Sequence, residues 1–354
     1  MRRILVWLVA AASLFVGPNA HAASHILGPP TDDGPVIVNV GFYLSDISDV
    51  DEEQETIQFE GIVTMRWKDP RQAFDSDETG YREKFYQGNY QFFEVFDGWW
   101  PQLILANEAG RYERQGLMLR IEDDGSMTYV EEIDAIAEAR MDLRRLPFDD
   151  QDLYARFEVL GFDSSMVVLR EDPSTTGKWE DDDHWIHVPQ WRPPVVSAAV
   201  DAYLPAYGGN TKAPTSVYIF NIEMHRNPGY LMRLVLFPLT MLVVLSWSVF
   251  WMSRSTLGDR MDISFIGILT IVAYQITISG LMPKISYATI LSTYLLISFI
   301  TICASVIVNL AVGWIDQLGD YALGDRVDLH CRWIFPLGYV SAIAVTSTWM
   351  YWTT

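Results

Sequence analysis

The stretch GDRMDISFIGILTIVAYQITISGLMP, Gly258 to Pro283, is long and apolar enough to cross a bilayer, yet it opens on Asp259 and carries Asp262 one turn further in. An ionised side chain at mid-bilayer costs roughly 2.5 to 3.5 kcal/mol on insertion scales, so carboxylates in such a segment belong against protein or a water-filled cavity. Steps of three and four from Asp259 give Asp262, Ile266, Leu269, Ala273, Ile276 and Gly280, a single stripe of a helix that ends at Pro283. Several copies of this stripe around an axis would set rings of acid at the inner mouth and an apolar constriction at Leu269. Acidic rings favour cations, and apolar constrictions gate by dewetting. The competing reading makes Asp259 a helix cap and Asp262 a first-turn acid, which explains their position but not the apolar surroundings of Asp262.

Outward from this stretch, apolar segments at about 230–252, 263–282, 287–315 and 333–352 predict an all-α bundle of four membrane helices, with aromatic residues such as Tyr230, Trp251, Trp314 and Trp352 at the interfaces. The polar linker between the last two is too short for a further domain. Upstream, Ile57, Phe59, Gly61, Val63, Met65 and Trp67 alternate with mostly polar residues, the period of a half-buried strand. Asp124-Gly125 between two such runs reads as a hairpin, and VYIFNIEMHR as a last strand. Short strands without a long helical pattern predict an immunoglobulin-like β-sandwich, with a short helix over residues 75–86. The first residues give a basic start, a short apolar run and a small-residue exit, which predicts a signal peptide over residues 1–22. The division expected is therefore 1–22 leader, 23–228 exported sandwich and 229–354 membrane domain.

Of 45 acidic residues 39 fall within 23–228, against 17 of 25 basic ones, so the exported half repels nucleic acid and enriches cations. The cysteines, Cys303 and Cys331, both lie beyond it, which excludes a disulfide or a cysteine-based metal site in the sandwich. No pattern of catalytic residues, metal motif or phosphate-binding loop appears, so the chain does not read as an enzyme and no cofactor is expected. The acidic surface leaves room for calcium or another divalent cation as a modulator, although His184 and His187 read as solvated side chains rather than metal ligands.

DVDEEQETIQFEGIVTMRWKDPR with Trp67, Asp69 and Arg71, WWPQLILAN with Trp99 and Pro101, RRLPFDDQDL, HRNPGYLMRLVLFPL, SWSVFW and the segment GDRMDIS to GLMPKISY occur in the order found in pentameric ligand-gated ion channels. From about residue 36 to 352 the chain resembles this Cys-loop receptor superfamily, and most nearly its bacterial branch. The two cysteines that name the superfamily would fall at Ala139 and Leu153, and the large inner loop is missing.

The resemblance implies a junction of ligand domain and pore at Glu52, Arg226, the signature loop with Pro147, Phe148, Asp149 and Gln151, and the outer loop with Pro283 and Lys284. It implies a pocket between subunits at Ile62, Ile104, Glu158, Leu160, Phe162, Tyr203 and Tyr207, of which Ile62, Ile104 and Leu160 stand where the family has an aromatic box. A symmetric pore needs a ring, so the chain is expected to be a homopentamer conducting monovalent cations. Its effector would be a small amine, an aromatic carboxylate or a proton. The expected location is the inner membrane, spanned several times, with the sandwich in the periplasm. Alternatives are a sensor that does not conduct and a periplasmic binding protein with a membrane anchor.

Overall fold

The computed structural model describes residues 28–31, 34–180, 186–204, 214–252, 257–280 and 282–353, so the expected leader over 1–22 lies outside the described residues. Alternation of apolar and polar side chains builds the first half. One sheet runs β3 (Glu83–Gln87), β5 (Glu108–Glu122), β6 (Ser126–Glu138), β2 (Thr56–Lys68), β1 (Val36–Asp51), β8 (Val167–Glu171), with β9 (Gly177–Lys178) also on β1. The other runs β10 (Val195–Tyr203), β11 (Thr215–His225), β7 (Asp150–Val159), β4 (Leu103–Leu105). In β2 the residues Ile57, Phe59, Val63, Met65 and Trp67 are buried, as the period of two requires.

The two sheets close over aromatic rings. Phe42 of β1 meets Phe220 of β11 at 4.8 Å and Phe157 of β7 at 5.5 Å between ring centroids. Gly61 leaves the space for that ring, since a Cβ there would stand 2.3 Å from its edge. Gly125 turns the β5–β6 hairpin at φ +81°, a conformation that glycine adopts without steric penalty. Ala139 and Leu153, at the places of the two family cysteines, are both fully buried in the apolar core. Asp69 accepts bonds from the Arg71 backbone nitrogen and from its Nε and Nη2, fixing the turn after Trp67.

Four helices follow: α1 (Gly229–Trp251), α2 (Leu257–Ser279), α3 (Ile290–Gln317) and α4 (Tyr321–Thr353). The first three are long and apolar enough to cross a membrane. Helices in lipid have little hydrophobic drive to associate, and polar side chains join them here. Thr240 Oγ1 pairs with Tyr294 Oη at 2.7 Å, Ser298 Oγ with Tyr339 Oη at 2.9 Å, and the Tyr274 hydroxyl donates to the Leu234 carbonyl at 2.6 Å. These bonds tie α1 to α3, α3 to α4, and α2 to α1.

Several elements differ from the sequence expectation. The helix expected over 75–86 is one turn, Ser76–Thr79, closed by Gly80 at φ +76°, and the chain then turns into edge strand β3. α2 begins at Leu257, one and a half turns before residue 263, and α4 is continuous from Tyr321 rather than starting at 333. Its first turns carry Asp325, Arg326, Asp328 and Arg332, which lowered the hydropathy and made a helix look like a linker.

Candidate functional site

At the end of the sandwich nearest the helices, charged side chains converge in a buried place. Arg226, the residue after β11, donates from Nε to Asp149 Oδ1 at 2.8 Å, and from Nη2 to Asp149 Oδ2 at 3.2 Å and to Glu52 Oε1 at 3.0 Å. The Arg226 and Asp149 side chains are 3% and 1% exposed. The guanidinium also lies 4.2 Å from the Trp191 ring centroid, which adds a π face to its carboxylate partners. Gln151 Nε2 donates to Asp149 Oδ2 at 2.9 Å, so the second carboxylate oxygen is filled from both sides.

The loop that carries Asp149 is also the seat of the helices. Leu143 and Leu146 are buried in the apolar core of the helical bundle, not of the sandwich. The first amides of α3 lack partners within the helix, and the loop supplies them: Ile290 N donates to the Arg144 carbonyl at 2.9 Å and Leu291 N to that of Leu146 at 3.1 Å. Thr289 and Ser292 complete a reciprocal cap. The Tyr287 hydroxyl accepts from Leu143 N at 3.1 Å. Pro147 is buried beside these contacts, while Phe148 is half exposed. Past Pro283, Lys284 Nζ reaches Glu53 Oε1 at 3.2 Å, an exposed pair of small energetic weight. One loop thus touches Arg226 on its sandwich side and two helix termini on the other, the start of α3 and the end of α4, since Arg145 Nη2 donates to the Tyr351 carbonyl of α4 at 3.3 Å.

α2 has two unlike faces. Arg260, Ser264, Ile271 and Ile278 are buried in the bundle. Opposite them Asp262, Ile266, Leu269, Ala273, Ile276 and Gly280 are all exposed, Leu269 at 71%. Asp259 belongs to the same helical stripe by its position in α2. Of the three helices able to span a membrane, α2 is the least covered by the rest of the chain.

The residues expected around a ligand divide between the sheets. Ile104 on β4 stands opposite Glu158 on β7, with Leu160 and Phe162 in the turn that follows. The Tyr203 hydroxyl of β10 donates to the buried Glu158 carboxylate. Burial and then this bond push the Tyr203 phenol up to about 12. Arg156 lies 5.6 Å from the same ring. Ile62 is on β2 in the other sheet, so one chain does not bring it to the rest, and Tyr207 falls outside the described residues.

Sequence reasoning missed Trp191, Tyr287, Leu143 and Leu146 at the junction. It also missed two ion pairs that hold buried carboxylates, Arg114 with Glu131 in the sandwich and Arg260 with Asp328 in the bundle. For Glu131 the available signal was an acid at an inward position of the alternating run MTYVEEID.

Comparison with known proteins adds an independent line. A model of the neurotransmitter-gated ion-channel ligand binding domain matches residues 24–228, and one of the neurotransmitter-gated ion-channel transmembrane region matches 235–317. A proton-gated ion channel of Gloeobacter violaceus is 26% identical over 261 residues, 74% of this chain and 68% of the relative. A gamma-aminobutyric acid receptor subunit beta-like protein of Drosophila melanogaster is 22% identical over 311 residues, 81% of this chain and 58% of the relative. The human gamma-aminobutyric acid receptor subunit rho-2 is 23% identical over 292 residues, 81% and 60% respectively. The chain therefore spans about three fifths of the length of these two receptor subunits.

Proposed function

The chain belongs to the neurotransmitter-gated ion-channel family, and on that premise we propose that it is a homopentameric, cation-selective channel opened by an effector at its exported sandwich. The observation that carries this reading is the exposed stripe of α2, acidic at the end far from the sandwich and apolar along its middle, with the basic side chain of the same region turned the other way. Five copies around an axis would cover that stripe from lipid and give it water. Asp259 and Asp262 then form the selectivity rings and Leu269 the constriction.

Effector binding on the sandwich shifts the population towards the open state through the signature loop, which both Arg226 and the first turn of α3 hold. We place the effector between subunits, at Ile104, Glu158, Leu160, Phe162, Tyr203 and Tyr207 of one chain and Ile62 of the next. Without an aromatic box, Glu158 with Tyr203 is the polar anchor for a small amine. The likeness to the proton-gated channel of Gloeobacter violaceus supports the proton as a second effector. Modulation by a divalent cation is supported only by the acidic surface; among the described residues no group of three acidic, histidine or cysteine side chains is arranged to hold a metal. We place the protein in the bacterial inner membrane with the sandwich in the periplasm.

The test is current through bilayers holding the purified protein under a salt gradient, while outside pH is stepped and small amines and aromatic carboxylates are added. A gated current reversing near the cation potential is expected, with Asp259→Asn and Asp262→Asn each weakening the cation preference. Reversal near the anion potential, or no change in either variant, would contradict the proposed selectivity.

A further inference from the structure

Among the described residues the largest fully buried side chain is a cation at the mouth of the proposed pore helix. Arg260 is 1% exposed and sits on α2 between Asp259 and Asp262, whose stripe is the one proposed to draw cations in. Two residues along an α-helix are about 200° apart and about 3 Å apart in height, so the guanidinium of Arg260 and the carboxylate of Asp262 leave opposite faces of α2 at one level. A cation so placed would cancel much of the field of one carboxylate if nothing held it.

It is held by α4. Arg260 Nη1 donates to Asp328 Oδ2 at 3.0 Å and Nη2 to Asp328 Oδ1 at 2.9 Å, a two-bonded fork. Nη2 also reaches Asn309 Oδ1 of α3 at 3.3 Å, and Asn309 Nδ2 donates at 2.9 Å to Ser264 Oγ, one turn above Arg260. The Asp328 side chain is 7% exposed. Three helices thus meet in one buried polar cluster, and its net charge is zero.

We propose that Asp328 is a positioning residue for cation selectivity: by neutralising Arg260 and drawing it into the bundle, it leaves the charge of Asp259 and Asp262 uncancelled at the inner mouth. This rests on the functional reading above and adds a determinant on a helix that does not face the axis. A purely structural ion pair would change stability and leave selectivity alone, which separates the two roles.

The experiment is the reversal potential of reconstituted full-length protein under a potassium chloride gradient, for wild type, Asp328→Asn and the double variant Arg260→Gln with Asp328→Asn. Asp328→Asn exposes the mouth to an uncompensated cation and is expected to lower the cation-to-anion permeability ratio roughly tenfold, the scale of one unit charge across a helix width. The double variant removes that charge and is expected to return to the wild-type ratio. If Asp328→Asn does not assemble, Arg260→Lys replaces it, because an ammonium keeps the charge and cannot make the planar fork; it is expected to shift reversal in the same direction. A cation-selective wild type with unmoved reversal in the single variant, or a double variant as shifted as the single one, overturns this proposal alone. An anion-selective wild type removes the functional reading and this proposal with it.

Discussion

Arg226 is surrounded by two carboxylates and an indole ring in a place almost closed to water. Removing one partner of a buried pair strands the other charge, at a cost of about 3 to 5 kcal/mol. Asp149→Asn is therefore expected to lower the unfolding free energy of the sandwich by about that amount and to blunt the effector response. Glu52→Gln, whose side chain is 26% exposed, is expected to cost about 1 kcal/mol or less. Chemical denaturation and effector dose-response curves of both variants check the order. Glu131 gives a prediction in pH. Burial pushes its carboxyl above the ordinary 4.5, against the pull of the Arg114 guanidinium and the Tyr129 and Tyr112 hydroxyls. The folded chain then binds this proton more tightly than the unfolded one, so the stability from this group is fully present below 4.5 and is lost as pH rises through the folded value. Denaturation midpoints of Glu131→Gln are expected to show a flatter pH profile over that range than those of wild type. Glu52, Asp149 and Arg226 were legible because the resemblance supplied their partners. Trp191 was not, since it lies 35 positions before Arg226 and a π contact leaves no local pattern. Nor was the role of Glu131, because Glu131-Glu132 gives one acid to each face of β6 and the sequence does not show that Arg114 meets the inward one.

The signature loop and the helices it seats share one apolar core and one set of backbone hydrogen bonds. Leu146 is buried among bundle residues, so Leu146→Ala is expected to cost about 2 to 5 kcal/mol and, by loosening the cap of α3, to move the effector midpoint towards higher concentration. A thermal melt followed through the helical domain, read beside the dose-response curve, checks both effects. Unchanged gating with a lowered melting temperature would show the leucine to be packing alone. Strands were the more legible elements: β2, β6 and the hairpin at Gly125 follow from alternation and one turn signal. α4 was misjudged in length because its first turns bury polar groups against other helices, Asp328 on Arg260 among them, and hydropathy counts such residues as if they faced water.

For the whole molecule, the proposed ring makes one side chain count five times. Leu269 is exposed in a single chain and would form the apolar belt of the proposed ring. Leu269→Ser is expected to wet that belt, raising current without effector several-fold, as measured by leak through reconstituted bilayers. The order of sandwich then helices was legible from composition, because 39 of the 45 acidic residues precede the first apolar segment of the membrane domain. The homopentamer was expected from the same stripe, because a symmetric pore needs a ring, but one chain's pattern does not show which faces its neighbouring copies cover. The measurement that tests the central claim most directly is the reactivity of single cysteines along α2 towards a charged, water-soluble thiol reagent, in a background without Cys303 and Cys331. Positions 262, 266, 269, 273 and 276 are expected to react and alter the current, while 263 and 272, exposed in a single chain but off the stripe, stay unmodified. Equal reaction at both sets, or none at either, would contradict a water-filled pore lined by this helix.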